Sequence, residues 1–186
     1  QAQQMFLSLL LKNKLMLKKK NILTLIGFKI TWTSCIFGEL FINSWFGFVV
    51  GLIYLIFFFS FQTDKRKSLY IILIYSFFGY TFDSLLSYMN IYRINADKDF
   101  MFLPIWFLVL WPSFASLFVN FFSFLKKMSI LPFLLGFIIG PLSYYAGIKL
   151  GLAYVSDYFT SFSLIAVFWA LLMIIYSKSF IKKITH

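Results

Sequence analysis

The chain has 186 residues, of which 61% are apolar and 23% aromatic, and only 12% are charged. At a mean hydropathy of +0.87, a water-soluble fold of this length has too little interior to hide its apolar surface, which excludes an ordinary cytosolic enzyme and leaves an integral membrane protein. The net charge of +11 is partitioned loop by loop, so it reports membrane topology and is not read as a nucleic-acid footprint.

Residues 1–21 form a basic leader in which Lys12, Lys14, Lys18, Lys19 and Lys20 alternate with leucines. It reads either as an interfacial helix on anionic lipid or as a disordered segment. No small-residue cleavage pattern follows its first apolar run, so it is not read as a cleaved signal. A helix needs about 20 apolar residues to cross a hydrocarbon core of about 30 Å. Six stretches approach that length, at 22–42, 46–61, 69–89, 102–124, 130–153 and 160–177. The predicted fold is therefore all-α: a single polytopic transmembrane bundle over 22–180, followed by a basic tail at 181–186.

The loops alternate in charge. Lys65, Arg66 and Lys67 in the second connection, Lys126 and Lys127 in the fourth, and Lys178, Lys182 and Lys183 in the tail fall on the side of the leader. The opposite connections hold Arg93 and Lys98, offset by Asp97, Asp99 and Asp157. This pattern predicts that both termini face the cytoplasm.

Scarce residue types restrict the chemistry. Cys35 is the one cysteine and His186 the one histidine. An intramolecular disulfide, an HExxH metalloprotease and a Ser-His-Asp triad are thereby excluded. There is no P-loop and no GxGxxG, so no cofactor and no metal is expected.

A charge inside a membrane span costs about 2.5–3.5 kcal/mol on insertion scales and is a functional candidate by default. Asp83 is the foremost, about 21 Å along the third span from its basic end at 1.5 Å per residue. Ser76, Tyr80, Asp83, Ser87 and Asn90 make one polar stripe that must face protein or water. As a site or as interhelical glue, the two readings stand level. In the first span Thr24, Thr31, Cys35 and Glu39 form a second stripe ending at Asn43. Glu39 lies near the depth of Asp83, close enough to an interface for simple solvation or, less readily, for sharing a proton or cation with it. Lys29 is expected to snorkel. In the fourth span Trp106, Ser113 and Asn120 share a face with Ser116 beside them, and Pro112 predicts a bend. Gly47/Gly51, Gly136/Gly140 and Gly147/Gly151 are small-residue pairs that let backbones approach, which makes the fifth span the expected packing centre. Lys149 is expected to snorkel outward, with Asp83 and Asp157 as alternative partners.

The ordered segments Trp32-x-x-Cys35-x-x-Gly38, Gly79-Tyr-Thr-Phe-Asp83-Ser84-Leu85, Leu103-Pro104-Ile-Trp106-x-x-x-x-Trp111-x-x-Phe114-Ala115 and Gly140-Pro141-Leu142-Ser143-Tyr144-x-Ala146-Gly147-x-Lys149-Leu150-Gly151 resemble a family of small multi-pass bacterial inner-membrane proteins classed as a domain of unknown function. Members of that family are often encoded near cyclopropane-fatty-acid-synthase-like methyltransferases and associated oxidoreductases. The resemblance thus implies an inner-membrane location and a role in acyl-lipid modification. It directs attention to Trp32, Asp83, Ser84, Trp106, Trp111, Pro141, Ser143, Tyr144 and Lys149. Glu39 and Pro112 lie outside its pattern.

Three functions follow as expectations. The first is a lipid-binding protein, or an accessory to acyl-lipid modification, whose polar site comprises Asp83, Ser84, Ser87, Trp106, Ser143, Tyr144 and Lys149, with Glu39, Trp32 and Trp111 as outlying members. The second is a subunit that packs against a membrane-protein partner or a second copy of itself. The third is a small proton-coupled transporter or flippase, against which the lack of similarity between the two halves counts. Membrane lipids are the expected partners and nucleic acid is not. Asp83 with a few hydroxyls is a thin constellation for catalysis, so a binding role is favoured over an enzyme.

Overall fold

The computed structural model describes residues 2–96, 99–128 and 130–179. Asp97, Lys98 and the predicted basic tail at 181–186 lie outside the described residues. Among these residues six α-helices follow in order: α1 (Ala2–Phe41), α2 (Ser44–Ser60), α3 (Lys65–Tyr88), α4 (Phe107–Val119), α5 (Leu131–Lys149) and α6 (Tyr158–Ser179). A 3-10 segment, Phe121–Lys127, extends α4. Short strands β1 (Tyr92–Ile94), β2 (Asp99–Phe100), β3 (Leu103–Pro104) and β4 (Ala153–Val155) occupy the connections at the end opposite the lysines.

Among the described residues, four segments are long and apolar enough to cross a membrane: Lys14–Phe41, Lys65–Tyr88, Leu131–Lys149 and Tyr158–Lys178. α2 and α4 are shorter apolar helices. The protein is thus mainly helical and built for a bilayer, and its outward side chains agree: Ile53, Phe77 and Val167 are all more than half exposed. In water such a surface would aggregate, whereas in hydrocarbon it costs nothing.

Helix ends follow local chemistry. Asn43 breaks α1 from α2 and caps the latter, its side-chain oxygen accepting from the amides of Trp45 and Phe46 at 3.0 and 3.1 Å. Asp64 caps α3 through the Lys67 amide at 2.9 Å, and Asp157 caps α6 through the Thr160 amide at 2.7 Å. Each satisfies an amide that the first helical turn leaves without a partner.

Two expectations need correction here. The predicted fourth span at 102–124 is not one helix. Residues 99–104 form the β2–β3 hairpin, α4 covers only 13 residues, and the remainder tightens into the 3-10 segment. Trp106 at the start of α4 already sits beside Glu39 at the end of α1, so a longer helix would overshoot the bundle. Nor is the fifth helix the packing centre. α4 touches α1, α2 and α3 at once, and Val109, Trp111, Ser113 and Ala115–Phe118 are all buried. α5 packs chiefly on α6.

The glycine pairs separate by role. A Cβ at Gly47 would strike the Cys35 backbone, and one at Gly51 would strike Val109 and Thr31. Gly136 and Gly140 make room for the backbone and ring of Trp169, and Gly147 for the Tyr92 hydroxyl. Gly151 is no packing residue, since α5 ends at Lys149. Its φ of +78° closes the helix with bonds from the Gly151 amide to the Ile148 carbonyl and from Leu152 to Gly147, both 3.0 Å, the double bond of a Schellman cap.

The bundle is three helix hairpins, α1–α2, α3–α4 and α5–α6. The antiparallel pairing of β1 with β4 ties the connection after α3 to the connection after α5. The third hairpin reaches the rest through a few aromatic contacts, such as Phe82 stacked on Phe168 with centroids 3.7 Å apart and Trp111 on Trp169 at 5.4 Å.

Candidate functional site

Between α1 and α5, with α4 as its floor, lies a cavity of about 620 Å³ lined overwhelmingly by apolar side chains. α1 contributes Phe28, Lys29, Trp32 and Ile36 to one wall. α5 contributes residues from Leu135 to Gly147 to the other, a run of about 18 Å at 1.5 Å per residue. The 3-10 segment closes the lysine-rich end, and Tyr92, Ile94, Leu152 and Ala153 close the other.

The polar centre of this groove is Asp83, 5% exposed. Its Oδ2 accepts from Trp111 Nε1 at 2.7 Å and its Oδ1 from the Tyr144 hydroxyl at 2.6 Å. Both donors are neutral and both are buried. The stripe on α3 places Asp83 toward α4, and Gly79, one turn away, lets the Trp111 ring lie flat against α3. α5 delivers Tyr144 from the far side. Tyr92 then donates to the Tyr144 carbonyl at 3.1 Å and packs edge-on to its ring at 5.0 Å. Burial, and after it the charge of Asp83, pushes the Tyr92 hydroxyl upward from the ordinary tyrosine value. Trp169 completes the wall: its Nε1 lies beside the Tyr144 hydroxyl without completing a hydrogen bond, and is buried with no partner.

The remaining predicted residues divide. Trp106 and Ser143 line the same cavity, with Trp32 and Trp111. Ser143 spends its proton on the Gly140 carbonyl at 2.6 Å, which leaves its oxygen as an acceptor. Ser84 Oγ is buried without a partner, as is Ser76 Oγ. Neither Ser84 nor Ser87 lines the cavity. Lys149 does not reach Asp83: its ammonium sits 5.3 Å from the Tyr145 ring centroid.

Glu39 is not simply solvated. Its Oε2 accepts from Ser44 Oγ at 2.6 Å and from Trp106 Nε1 at 2.8 Å. Glu39 and Asp83 thus take separate donors, and a shared proton or cation finds no support in those bonds. The lower part of the α1 stripe acts as glue. Asn120 Nδ2 donates to Thr24 Oγ1 at 2.9 Å, and the Tyr54 hydroxyl lies 2.7 Å from Ser116 Oγ. Trp169 and Tyr92 escaped the sequence reading. Trp169 stands alone in an apolar helix, and Tyr92 belongs to a connection whose pairing with β4 no local pattern announces.

Fold and groove together define a helical membrane protein that holds a buried carboxylate on the wall of an elongated apolar cavity. Residues 21–175 match the family described as "Protein of unknown function (DUF2878)", and the chain belongs to that family. No curated protein and no solved structure matches it.

Proposed function

We propose that this protein binds a membrane lipid, holding one acyl chain in the groove between α1 and α5 with Asp83, Trp111 and Tyr144 as the fixed polar element of its wall. The observation that carries this reading is the cavity itself. Its volume of about 620 Å³ lies within the roughly 300–1,000 Å³ of small-molecule sites, and it combines apolar walls with a few converging polar groups. The run of about 18 Å along α5 is close to one leaflet, about half of a 30 Å hydrocarbon core. In this reading all six apolar helices sit in the bilayer, α2 and α4 included, and the lysine-rich end faces the cytoplasm of a bacterial inner membrane.

The test is native mass spectrometry of protein extracted in a non-ionic detergent. Wild type should retain one lipid class at defined stoichiometry, and Ala146→Phe, which fills the groove, should release it while remaining folded. Retention of the same lipids by both proteins would overturn the assignment to this groove. Comparing membrane lipid profiles of a deletion strain carrying wild type or Asp83→Asn then asks whether the protein also influences acyl composition.

A further inference from the structure

Lys29 stands apart from every other lysine in the described span region. It lies at the level of the groove, well inside α1, and lines the cavity. Its side chain is exposed, and among the described residues its ammonium meets the Trp32 ring, with the centroid 5.7 Å away. Intramembrane lysines ordinarily pair with a carboxylate or a backbone carbonyl, because an uncompensated charge at that depth is costly. Asp83 does not serve: its oxygens accept from Trp111 and Tyr144, and it forms no ion pair with Lys29.

Contacts between α1 and α4 fix where Lys29 sits. Trp106 meets Glu39, Phe114 meets Phe28 with centroids 5.5 Å apart, and Asn120 meets Thr24, so the two helices run antiparallel in register. Lys29, adjacent to Phe28, is therefore at the level of Phe114, about 4.5 Å below Trp111 toward the basic end at 1.5 Å per residue. Phe114 also packs edge-on against Trp169, centroid to centroid 4.8 Å. One wall of the groove thus offers an ammonium, and another offers Trp169, a residue 9% exposed whose indole N–H completes no hydrogen bond.

We infer that the occupant is an anionic amphiphile, whose carboxylate or phosphate takes Lys29 Nζ as its charge partner and Trp169 Nε1 as a second donor while its chain fills the groove. This rests on the lipid-binding reading above and adds the chemical class. Both groups are donors: among the described residues no carboxylate pairs with the ammonium, and the indole N–H, beside the Tyr144 hydroxyl, completes no hydrogen bond. A neutral lipid would leave the ammonium uncompensated, while an anion satisfies both. A lone carboxylate and a phosphate monoester share this chemistry.

The test is quenching of tryptophan fluorescence by brominated ligands, with the full-length protein in a neutral maltoside. Three probes separate the outcomes: dibromostearic acid, a phosphatidic acid with dibrominated chains, and the methyl ester of dibromostearic acid. At least one anionic probe should bind about 10–100-fold more tightly than the ester, the span of a charge-assisted hydrogen bond, and which one does identifies the headgroup. Lys29→Met should abolish that preference and Lys29→Arg should retain it. Trp169→Phe, which keeps an aromatic ring of smaller size and removes the N–H, should reduce it by a smaller factor, and thermal unfolding shows that each variant is folded. Equal binding of acid, phosphatidic acid and ester, unchanged in Lys29→Met, would overturn the inference and leave the lipid-binding reading standing. No quenching by any probe would overturn both.

Discussion

Replacing Asp83 by two residues of similar size separates a carboxylate that holds the helices together from one that merely occupies space. Trp111 Nε1 can only donate, so in Asp83→Asn the amide oxygen must face Trp111 and the amide nitrogen must face Tyr144. Tyr144 then accepts instead of donating, its own proton turning toward the cavity, and both contacts at 2.7 and 2.6 Å survive. Asp83→Leu leaves the indole N–H and the phenol O–H buried with no acceptor. Hydrogen bonds between membrane helices contribute about 0.6 kcal/mol on average and about 1.7 at most. Losing two puts the cost near 1–3 kcal/mol, and the higher part of that range fits donors left unsatisfied. For a chain of this size each kcal/mol moves the unfolding midpoint by about 2–4 °C. Thermal unfolding in detergent should therefore show Asp83→Leu lowered by roughly 2–12 °C, with Asp83→Asn within about 2 °C of wild type. Equal losses in the two variants would refute the donor assignment, and no loss in either would show that the cluster does not join α3, α4 and α5 energetically.

Three further outcomes are expected. Gly79→Ala should destabilise by about 1–3 kcal/mol, because the new methyl group meets the Trp111 ring and the ring has little room to move; an unchanged unfolding curve would contradict the close packing of α3 on α4. The backbone amide of Thr160 at the α6 N-cap holds the Asp157 carboxyl below its ordinary value, so its contribution is complete above the unfolded pKa of about 3.9 and is lost only as the pH falls through the lower, folded value. An NMR titration of Asp157 with its midpoint at or above about 3.9 would contradict this. Single cysteines at Thr63 and Tyr154 should react with impermeant maleimides from opposite faces of the membrane, over a background kept low by Cys35, which is 0% exposed. Labelling of both from one face would overturn the proposed topology.

Much of the α3 stripe was legible because a helix repeats every 3.6 residues, so Asp83 and its polar neighbours announce a protein-facing side without any knowledge of the partner. Trp111 and Tyr144 were also visible as residues of interest, but not as the two donors of one carboxylate. They lie 28 and 61 positions from Asp83, and nothing local encodes that meeting. Lys149 shows the converse: its charge and depth left Asp83 open as an alternative partner to snorkelling, and its ammonium sits instead by the Tyr145 ring.

The sequence by itself determined that the chain is built for a membrane, where its long apolar stretches lie, and how the basic residues alternate between connections. Each of these depends on composition within a window of about 20 residues and on transfer from water to hydrocarbon, which acts on every segment separately. Tertiary structure alone decided that the short α4 is the centre of the bundle, that β1 and β4 join two distant connections, that Trp169 and Lys29 face a common groove, and that a cavity remains between α1 and α5. Those features arise from contacts between residues far apart in the chain. In a bilayer, where lipid is as apolar as the helices, shape and hydrogen bonding choose the neighbours, and hydropathy does not distinguish among them.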